Sequence, residues 1–317
     1  MKMSSIPVIL GATATGKTDA GIELSKLIDG EIISIDSRKV YQGLPVGTAT
    51  PDGTWSNGVL MVENVPHHLI SCFPPDQSFT AGDFAQQAET LIEKIFQKGK
   101  IPVLVGGTGF YFKALQMGLP DLPPRSPEMR DELMGEIEKD GPEALHRKLS
   151  AVDPAAAAAI SNQDKHKIVR ALEVFQITGQ PFSGWINTGR QPSKHKFVVM
   201  GLHMDKNAID KRIEIRSKRM LDEGMIEETE TVLKKGFSKD CPALASFGYR
   251  EAVQVIEGSL PKAEFLPRLI KGTKAYAKRQ RTWFRTQTKP VWIDCDATTP
   301  PQEIALKMKA FCYTPQE

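Results

Sequence analysis

The consecutive residues Gly11-Ala12-Thr13-Ala14-Thr15-Gly16-Lys17-Thr18 fill the spacing Gly, four residues, Gly-Lys-Ser/Thr, and that spacing is suited to holding phosphate. The glycines let the backbone wrap an anion, so that N–H groups and the start of the following helix point at phosphate oxygens. Lys17 adds a point charge, and Thr18 brings a hydroxyl placed to ligate a magnesium ion that bridges the phosphates. A nucleoside triphosphate is the default ligand, but any diphosphate satisfies the same donors. Asp36 is the next chemical residue, and its carboxylate has two readings. It can hold the magnesium ion, usually through water, or it can act as a general base on a nucleophile held against it. Gly106-Gly107-Thr108-Gly109 offers backbone N–H groups and one hydroxyl as a second phosphate or leaving-group contact. A turn that needs glycines only for tight packing is the competing reading.

Two basic stretches come later in the chain. Arg212, Arg216 and Arg219 recur at helical spacing, which puts guanidinium groups on one face where bidentate phosphate binding is natural. A solvated face is the alternative. Lys271, Lys274, Lys278, Arg281 and Arg285 also recur at three and four, with Tyr276, Trp283 and Phe284 interleaved. Cations with aromatics describe a nucleic-acid surface, where charges take backbone phosphates and rings stack on bases; a solvated helix with core-facing aromatics competes. His67 and His68 stand without an acid or a second pair at metal spacing and are read as structural.

The elements that must position these residues follow an α/β pattern. Ile6 to Leu10 is a short apolar run of buried-strand type, and Thr18 to Ile28 carries apolar residues at helical spacing, so the phosphate loop sits between strand and helix as it must. Glu31 to Asp36 reads as a second buried strand, which sets Asp36 at a strand's C-terminal end, facing the ligand crevice of an open α/β sheet. Residues 43–66 are rich in Gly, Pro, Thr and Asn and read as a long loop, leading into a strand near Val65. Thr80 and Asp83 form a capping box ahead of a helix whose apolar stripe is Phe84, Ala88, Leu91, Ile95 and Phe96. Ile101 to Val105 is another strand, breaking into the glycine-rich turn. Strands separated by helices indicate a parallel, doubly wound sheet.

The texture changes near Gly118. Pro120, Pro123, Pro124 and Pro127 make a stiff linker, and 128–177 is helical in pattern, including the alanines 155–159. The expected organisation is a P-loop NTPase-like parallel sheet flanked by helices with an inserted helical subdomain: a first core part over 1–117, the insertion over 118–195, and completion of the core over 196–317. Phe197 to Leu202 and Val291 to Asp294 are the later strands, 208–235 a polar helix or helix pair, and 271–285 the second basic helix.

Bulk properties narrow the function classes. A net charge of +3 over 317 residues announces no nucleic-acid partner by itself. No apolar run approaches the ~20 residues of a membrane span, and the first apolar run leads into the phosphate loop rather than to a cleavage site. A cytoplasmic protein is expected, without a membrane partner and acting as a monomer. Cys72, Cys241, Cys295 and Cys312 are scattered, so free thiols are expected.

Several separate motifs in one order give the chain its resemblance. Beside the phosphate loop they are Asp36-Ser37-Arg38-Lys39-Val40-Tyr41, Pro66-His67-His68-Leu69, Gly106-Gly107-Thr108-Gly109-Phe110-Tyr111, Arg170-Ala171-Leu172-Glu173-Val174, Gly248-Tyr249-Arg250 and Lys278-Arg279-Gln280-Arg281-Thr282-Trp283-Phe284-Arg285. Nearly end to end, the chain resembles the tRNA dimethylallyltransferase (tRNA isopentenyltransferase) family. The resemblance implies that the loop holds the diphosphate of dimethylallyl diphosphate with magnesium. It implies transfer of the prenyl group to the exocyclic N6 amine of the adenosine 3′ of the anticodon. On the matching positions, Asp36 would be the base on that amine, while Thr108 and Arg216 would steady the leaving diphosphate beside Lys17 and Thr18. The tRNA anticodon arm would be held by Asp36, Ser37, Arg38 and Lys39, by Thr108, by Arg130, His166, Lys167 and Arg170, by Gly248, Tyr249 and Arg250, and by Lys278, Arg279, Gln280, Trp283 and Arg285.

Lys39 and Lys167 stand where that family more often has glutamine and arginine. Lysine offers donors only, so neither is expected to read a base through an amide or a forked hydrogen bond. Two rival activities share the phosphate loop: an adenylate isopentenyltransferase acting on free nucleotide, and a P-loop kinase of small-molecule type. A small substrate needs neither the basic helix nor the large insertion.

Overall fold

The computed structural model describes residues 5–186 and 188–312. Chain order begins β1 (Ile6–Gly11), α1 (Lys17–Ile28), β2 (Gly30–Ile35), α2 (Pro45–Thr48), β3 (Thr54–Ser56), β4 (Val59–Val62), β5 (Val65–His68), α3 (Ala81–Gln97), β6 (Ile101–Gly106) and α4 (Gly109–Met117). Five helices follow: α5 (Pro127–Asp140), α6 (Pro142–Val152), α7 (Pro154–Ala159), α8 (Lys165–Thr178) and α9 (Phe182–Trp185). The chain then runs through β7 (Phe197–His203), α10 (Lys206–Asp222), α11 (Met225–Lys234), α12 (Tyr249–Ile256), α13 (Lys262–Gln287), β8 (Val291–Asp294) and α14 (Pro301–Cys312).

The strands form one eight-stranded sheet in the order β3-β4-β5-β2-β6-β1-β7-β8. From β5 to β8 the neighbours pair parallel. β1 and β2 are buried along their whole length, as strands covered by helices on both faces must be. The register Leu10 to Gly106 and Ile35 to Gly106 aligns the C-terminal ends of β1, β6 and β2. Those ends carry the phosphate loop, the glycine-rich turn and Asp36 on one edge of the sheet.

The sheet is mixed rather than purely parallel, because residues 43–66 are not a long loop. They hold α2 and two antiparallel strands, β3 and β4, that extend the edge beyond β5. Asn57 and Gly58, at φ 49° and 76°, make the two-residue turn between β3 and β4, a pairing that matches strand twist when both central residues are left-handed. Glu63 and Asn64 repeat the device between β4 and β5. β3 is exposed throughout, so it shows no apolar alternation to reveal it.

The described chain divides into two compact units, Met1–Gln116 with Ser193–Glu317, and Met117–Pro192. In the first, α1 and α14 bury Ala20, Leu24, Ile304, Ala305 and Met308 with Ile9, Ile32, Val103 and Met200 of the strands. A smaller cluster joins Ala12 of the phosphate loop to Met204, to Ile209 and Ile213 of α10, and to Ala277 of α13. The second unit is helical and buries Leu133, Ile137, Leu145, Leu149, Ile168, Val169 and Leu172. Asp153 there caps α7 through the Ala156 N–H and also accepts from Ser183.

Local expectations hold with small changes. Thr80 and Asp83 cap α3 reciprocally, but its buried stripe runs through Ile92 instead of Leu91, and Phe96 is exposed. The basic helix starts at Lys262, well before Lys271. Residues 208–235 fall into two helices, parted at Gly224 with φ 94°. All four cysteines are free thiols. Among the described residues no helix is long and apolar enough to cross a membrane.

Candidate active site

A cavity of about 690 Å³ opens at the edge where β1, β2 and β6 end. Thr13, Ala14, Gly16, Lys17 and Thr18 line it from the phosphate loop. Gly11, Ala12 and Thr15 shape that loop from behind. A Cβ on Gly11 would sit 3.1 Å from the Thr15 hydroxyl and 3.2 Å from the Leu202 carbonyl. The loop's curl needs left-handed backbone at Ala14, φ 67°, and at Gly16, φ 87°. For alanine that conformation is unfavourable by about 1–2 kcal/mol. The Ala12 carbonyl accepts from the Thr15 hydroxyl at 2.9 Å and from Lys17 Nζ at 2.6 Å. Burial pushes the Lys17 ammonium down to about 7; Arg216 pushes the same way and Asp36 opposes.

α10 supplies the facing cations. With Ile209 and Ile213 anchored in the cluster behind the loop, Arg212, Arg216 and Arg219 fall on the adjoining face and line the cavity. Arg216 donates to the Thr13 hydroxyl. Burial, then the Arg38 guanidinium, lowers Arg216 to about 10. Of the two readings of this arginine face, phosphate binding gains a cavity and the solvated face does not.

Asp36 lines the same cavity. Its Oδ1 accepts from the Arg38 N–H at 2.9 Å and the Lys39 N–H at 3.2 Å, and these bonds leave Oδ2 to a ligand. Lys39 also lines the cavity, its pKa pushed down by burial and pulled up by Asp36. Arg38 donates to the Phe247 carbonyl at 3.3 Å, and its guanidinium lies 5.8 Å from the Tyr276 ring centre.

The glycine-rich turn lines the cavity with Gly106 and Gly107 but spends two of its N–H groups within the sheet. The Gly107 and Thr108 N–H groups both donate to the Ile35 carbonyl at 3.1 Å. A Cβ on Gly106 would lie 2.1 Å from that same oxygen, and one on Gly109 would lie 2.2 Å from the Trp283 ring. These glycines serve close packing. Thr108 stands beside the cavity rather than in its lining: its hydroxyl accepts from the Ser37 N–H at 3.1 Å, steadying the segment after Asp36.

The residues assigned to RNA divide by burial. Lys278, Arg279 and Arg285 are exposed, as is Arg250. Gln280 is instead 6% exposed and bonded to the loops, and Tyr249 is fully buried, its hydroxyl donating to Leu44 O and Glu228. Neither side chain is an RNA surface, and Gly248, with φ 93°, is buried beside them. Trp283 is half-buried on Gly109. In the helical unit, His166 and Lys167 are exposed and Arg130 reaches His166 Nδ1 at 3.4 Å. Arg170 is taken up by Glu173 at 2.7 Å and by the Pro123 carbonyl at 2.7 Å. It pins the proline linker to α8.

Sequence reasoning missed four titratable residues of the cavity lining. Asp19 follows the loop motif directly; Asp52 and Glu223 lie in stretches whose path only the fold reveals. His67 is the fourth. It is 3% exposed, its Nδ1 donates to Val65 O at 3.0 Å, and burial pushes it to about 4, so it is neutral. His68 is structural, bonded to Glu31 at 2.7 Å.

The donor set suits magnesium. Thr18 and Asp36 offer oxygen ligands in one cavity, and among the described residues no group of three or more His, Cys, Asp or Glu could hold a metal. An ion held here would take most ligands from phosphate and water, as magnesium prefers.

A model of the IPP transferase family matches residues 39–287. The chain is 41% identical over 278 residues to the tRNA dimethylallyltransferase of Elusimicrobium minutum, covering 87% of this chain and 90% of that one. It is 38% identical to the tRNA dimethylallyltransferase of Heliobacterium modesticaldum, covering 92% and 89%. The crystal structure of the tRNA isopentenylpyrophosphate transferase of Bacillus halodurans superposes with a TM-score of 0.68 at 34% identity, covering 98% of this chain and 97% of that one. A eukaryotic dimethylallyltransferase, at 23% identity and a TM-score of 0.71, shares the fold over 93% of this chain and 74% of its own.

Proposed function

The chain belongs to the IPP transferase family, and we propose that it transfers the dimethylallyl group of dimethylallyl diphosphate to the exocyclic N6 amine of the adenosine 3′ of the anticodon in tRNA. The observation that carries this reading is the lining of a single cavity by Lys17, Thr18 and Arg216 together with the Asp36 carboxylate. Cations suit a departing diphosphate, and a carboxylate suits a nucleophile that must lose a proton.

An amine conjugated with a purine is a weak nucleophile, so the site must improve the leaving group and receive the proton. Lys17, Arg216, the N-terminus of α1 and Lys39 bind the diphosphate and stabilise the charge that grows on it as the C1–O bond breaks. Thr18 would hold magnesium, which would supply charge neutralisation at the diphosphate. As N6 bonds to C1, the amine proton passes to Asp36 Oδ2, while Oδ1 stays engaged with the Arg38 and Lys39 N–H groups. The diphosphate leaves with the electron pair of the broken bond. Thr108 acts through Ser37, keeping the Asp36 segment in place.

The RNA is engaged by exposed cations, Lys278, Arg279, Arg285 and Arg250 in the sheet-bearing unit and Lys167 in the helical unit, the last with His166 and the partly exposed Arg130. Action as a monomer is part of the same proposal. A tRNA substrate supports a cytoplasmic site of action. Incubation with dimethylallyl diphosphate and, separately, unmodified tRNA or AMP, and with ATP alone, tests the reading. Prenylated tRNA is expected; prenylated AMP or hydrolysed ATP without tRNA product would sink it.

A further inference from the structure

Gln280 lies on the basic helix, yet it is 6% exposed and both ends of its amide are engaged. Oε1 accepts from the Thr13 N–H at 2.8 Å, and Nε2 donates to the Gly107 carbonyl at 2.9 Å. A donor on one side and an acceptor on the other set the orientation of the amide. One side chain thus bridges the phosphate loop and the glycine-rich turn, which end adjacent strands of the sheet.

The helix that carries this amide is held to both loops on either side of it. Ala277 packs with Ala12 behind the phosphate loop. Trp283 lies so close to Gly109 that a Cβ there would come within 2.2 Å of its ring. Thr13 is gripped twice, its N–H by α13 and its hydroxyl by Arg216 of α10. Gly107 is shaped to the contact, since a Cβ would sit 2.4 Å from Gln280 Nε2, while the nearest atom outside that side chain, the Gly11 carbonyl oxygen, would be 3.7 Å away.

We propose that Gln280 is a positioning residue that sets the spacing of the phosphate loop against the Gly106–Gly109 turn, and through it the fit of the diphosphate. It acts through Thr13 and Gly107, which take one lone pair of Oε1 and one hydrogen of Nε2 and so fix the amide between the two loops. A buried amide that loses its partners also leaves the Thr13 N–H and Gly107 carbonyl unsatisfied, which favours a shift of the loops over an empty bridge. The inference rests on the reading of this cavity as a diphosphate site.

The contact can be broken from either end. In Gln280→Ala the amide is gone; in Gly107→Ala the new Cβ displaces it while α13 is untouched, and Gly107 does not need a left-handed φ. Calorimetric binding of inorganic pyrophosphate with magnesium should weaken about tenfold in each single variant of the full chain. The double variant should be no worse than the weaker single, because both changes remove one bridge. Affinity for tRNA should stay unchanged. Wild-type pyrophosphate affinity in the singles, or losses that add in the double, would overturn the role of Gln280. A parallel fall in tRNA affinity and melting temperature without a selective loss of pyrophosphate would reduce it to a packing residue. If Gln280→Ala does not fold, Gly107→Ala alone decides. A wild-type chain that binds no pyrophosphate would remove the diphosphate reading, and this inference with it.

Discussion

α10 and α13 are both basic helices that pack on the back of the phosphate loop, but they spend their charge differently. α10 anchors through Ile209 and Ile213, which turns Arg212, Arg216 and Arg219 into the cavity. α13 anchors through Ala277 and Phe284, which turns Tyr276 and Gln280 inward and leaves Lys278 and Arg285 in solvent. The two are joined by Lys274 and Glu214 at 2.6 Å. Arg216, enclosed in the cavity, has its pKa lowered by burial, and an enclosed charge acts on one ligand at short range. Charge in solvent is screened and acts collectively on a polyanion. Both helices are rich in Lys and Arg, and α13 alone carries aromatics; the phase of each helix about its apolar anchor decides where its cations point.

The comparison breaks first if the enclosed charges do not govern chemistry. Asp36 is the carboxylate those cations face, and Asp36→Asn keeps its size but cannot accept a proton. Single-turnover rate at saturating diphosphate and magnesium should fall by roughly 10²–10⁴ with diphosphate binding retained. Near-native rate would remove Asp36 as the base, and recovery with added magnesium would assign it to the metal instead.

Arg216→Met is the matching test on α10. It removes a cation at the leaving group and the grip on the Thr13 hydroxyl, so kcat/KM for dimethylallyl diphosphate should drop by about 10²–10³. The salt dependence of tRNA binding should not move. A tRNA-specific defect with normal diphosphate kinetics would place this arginine with the outer charges.

Enclosure also predicts a pH response. In the free protein Lys17 sits at about 7, depressed from 10.5, so above pH 7 it is increasingly neutral. A bound diphosphate favours the ammonium; binding then takes up a proton, and this group's contribution to affinity falls by up to about tenfold per pH unit above 7. Below pH 7 it contributes no pH dependence. Arg216→Met should move the onset to higher pH because that guanidinium helps depress Lys17; replacing Lys278 should not. Proton uptake measured in buffers of different ionisation enthalpy reads this directly.

The exposed face predicts the converse. Replacing Lys278 and Arg285 by alanine should weaken tRNA binding and shrink the slope of log affinity against log salt by about two, with pyrophosphate affinity intact. An unchanged slope would mean that this face is only solvated. The smallest functional effect is expected for Tyr249→Phe. It removes a buried hydroxyl bonded to Leu44 and Glu228, so stability should fall by about 1–3 kcal/mol with tRNA affinity unchanged.

The sequence by itself determined the local chemistry. Gly11 to Thr18 specify an anion-binding curl because the glycines admit the backbone it needs while Lys17 and Thr18 supply a charge and a hydroxyl, and Asp36 is placed by the apolar run that ends beside it. Thr80 and Asp83 cap α3 through contacts three residues apart. Even the missed hairpin was written locally, in Asn57-Gly58, but the exposed β3 carries no alternation to support it. Tertiary structure alone decided what each remaining side chain does. Gln280 and Tyr249 sit in motifs that read as RNA surface, and both face inward, because the orientation of a helix follows from what its apolar side meets. Arg170 is consumed by Glu173 and Pro123, and the Gly107 and Thr108 N–H groups by Ile35. Period and composition report which residues share a face; which way that face points is settled by contacts with residues such as Ala12, more than 250 positions away from Ala277 in the chain.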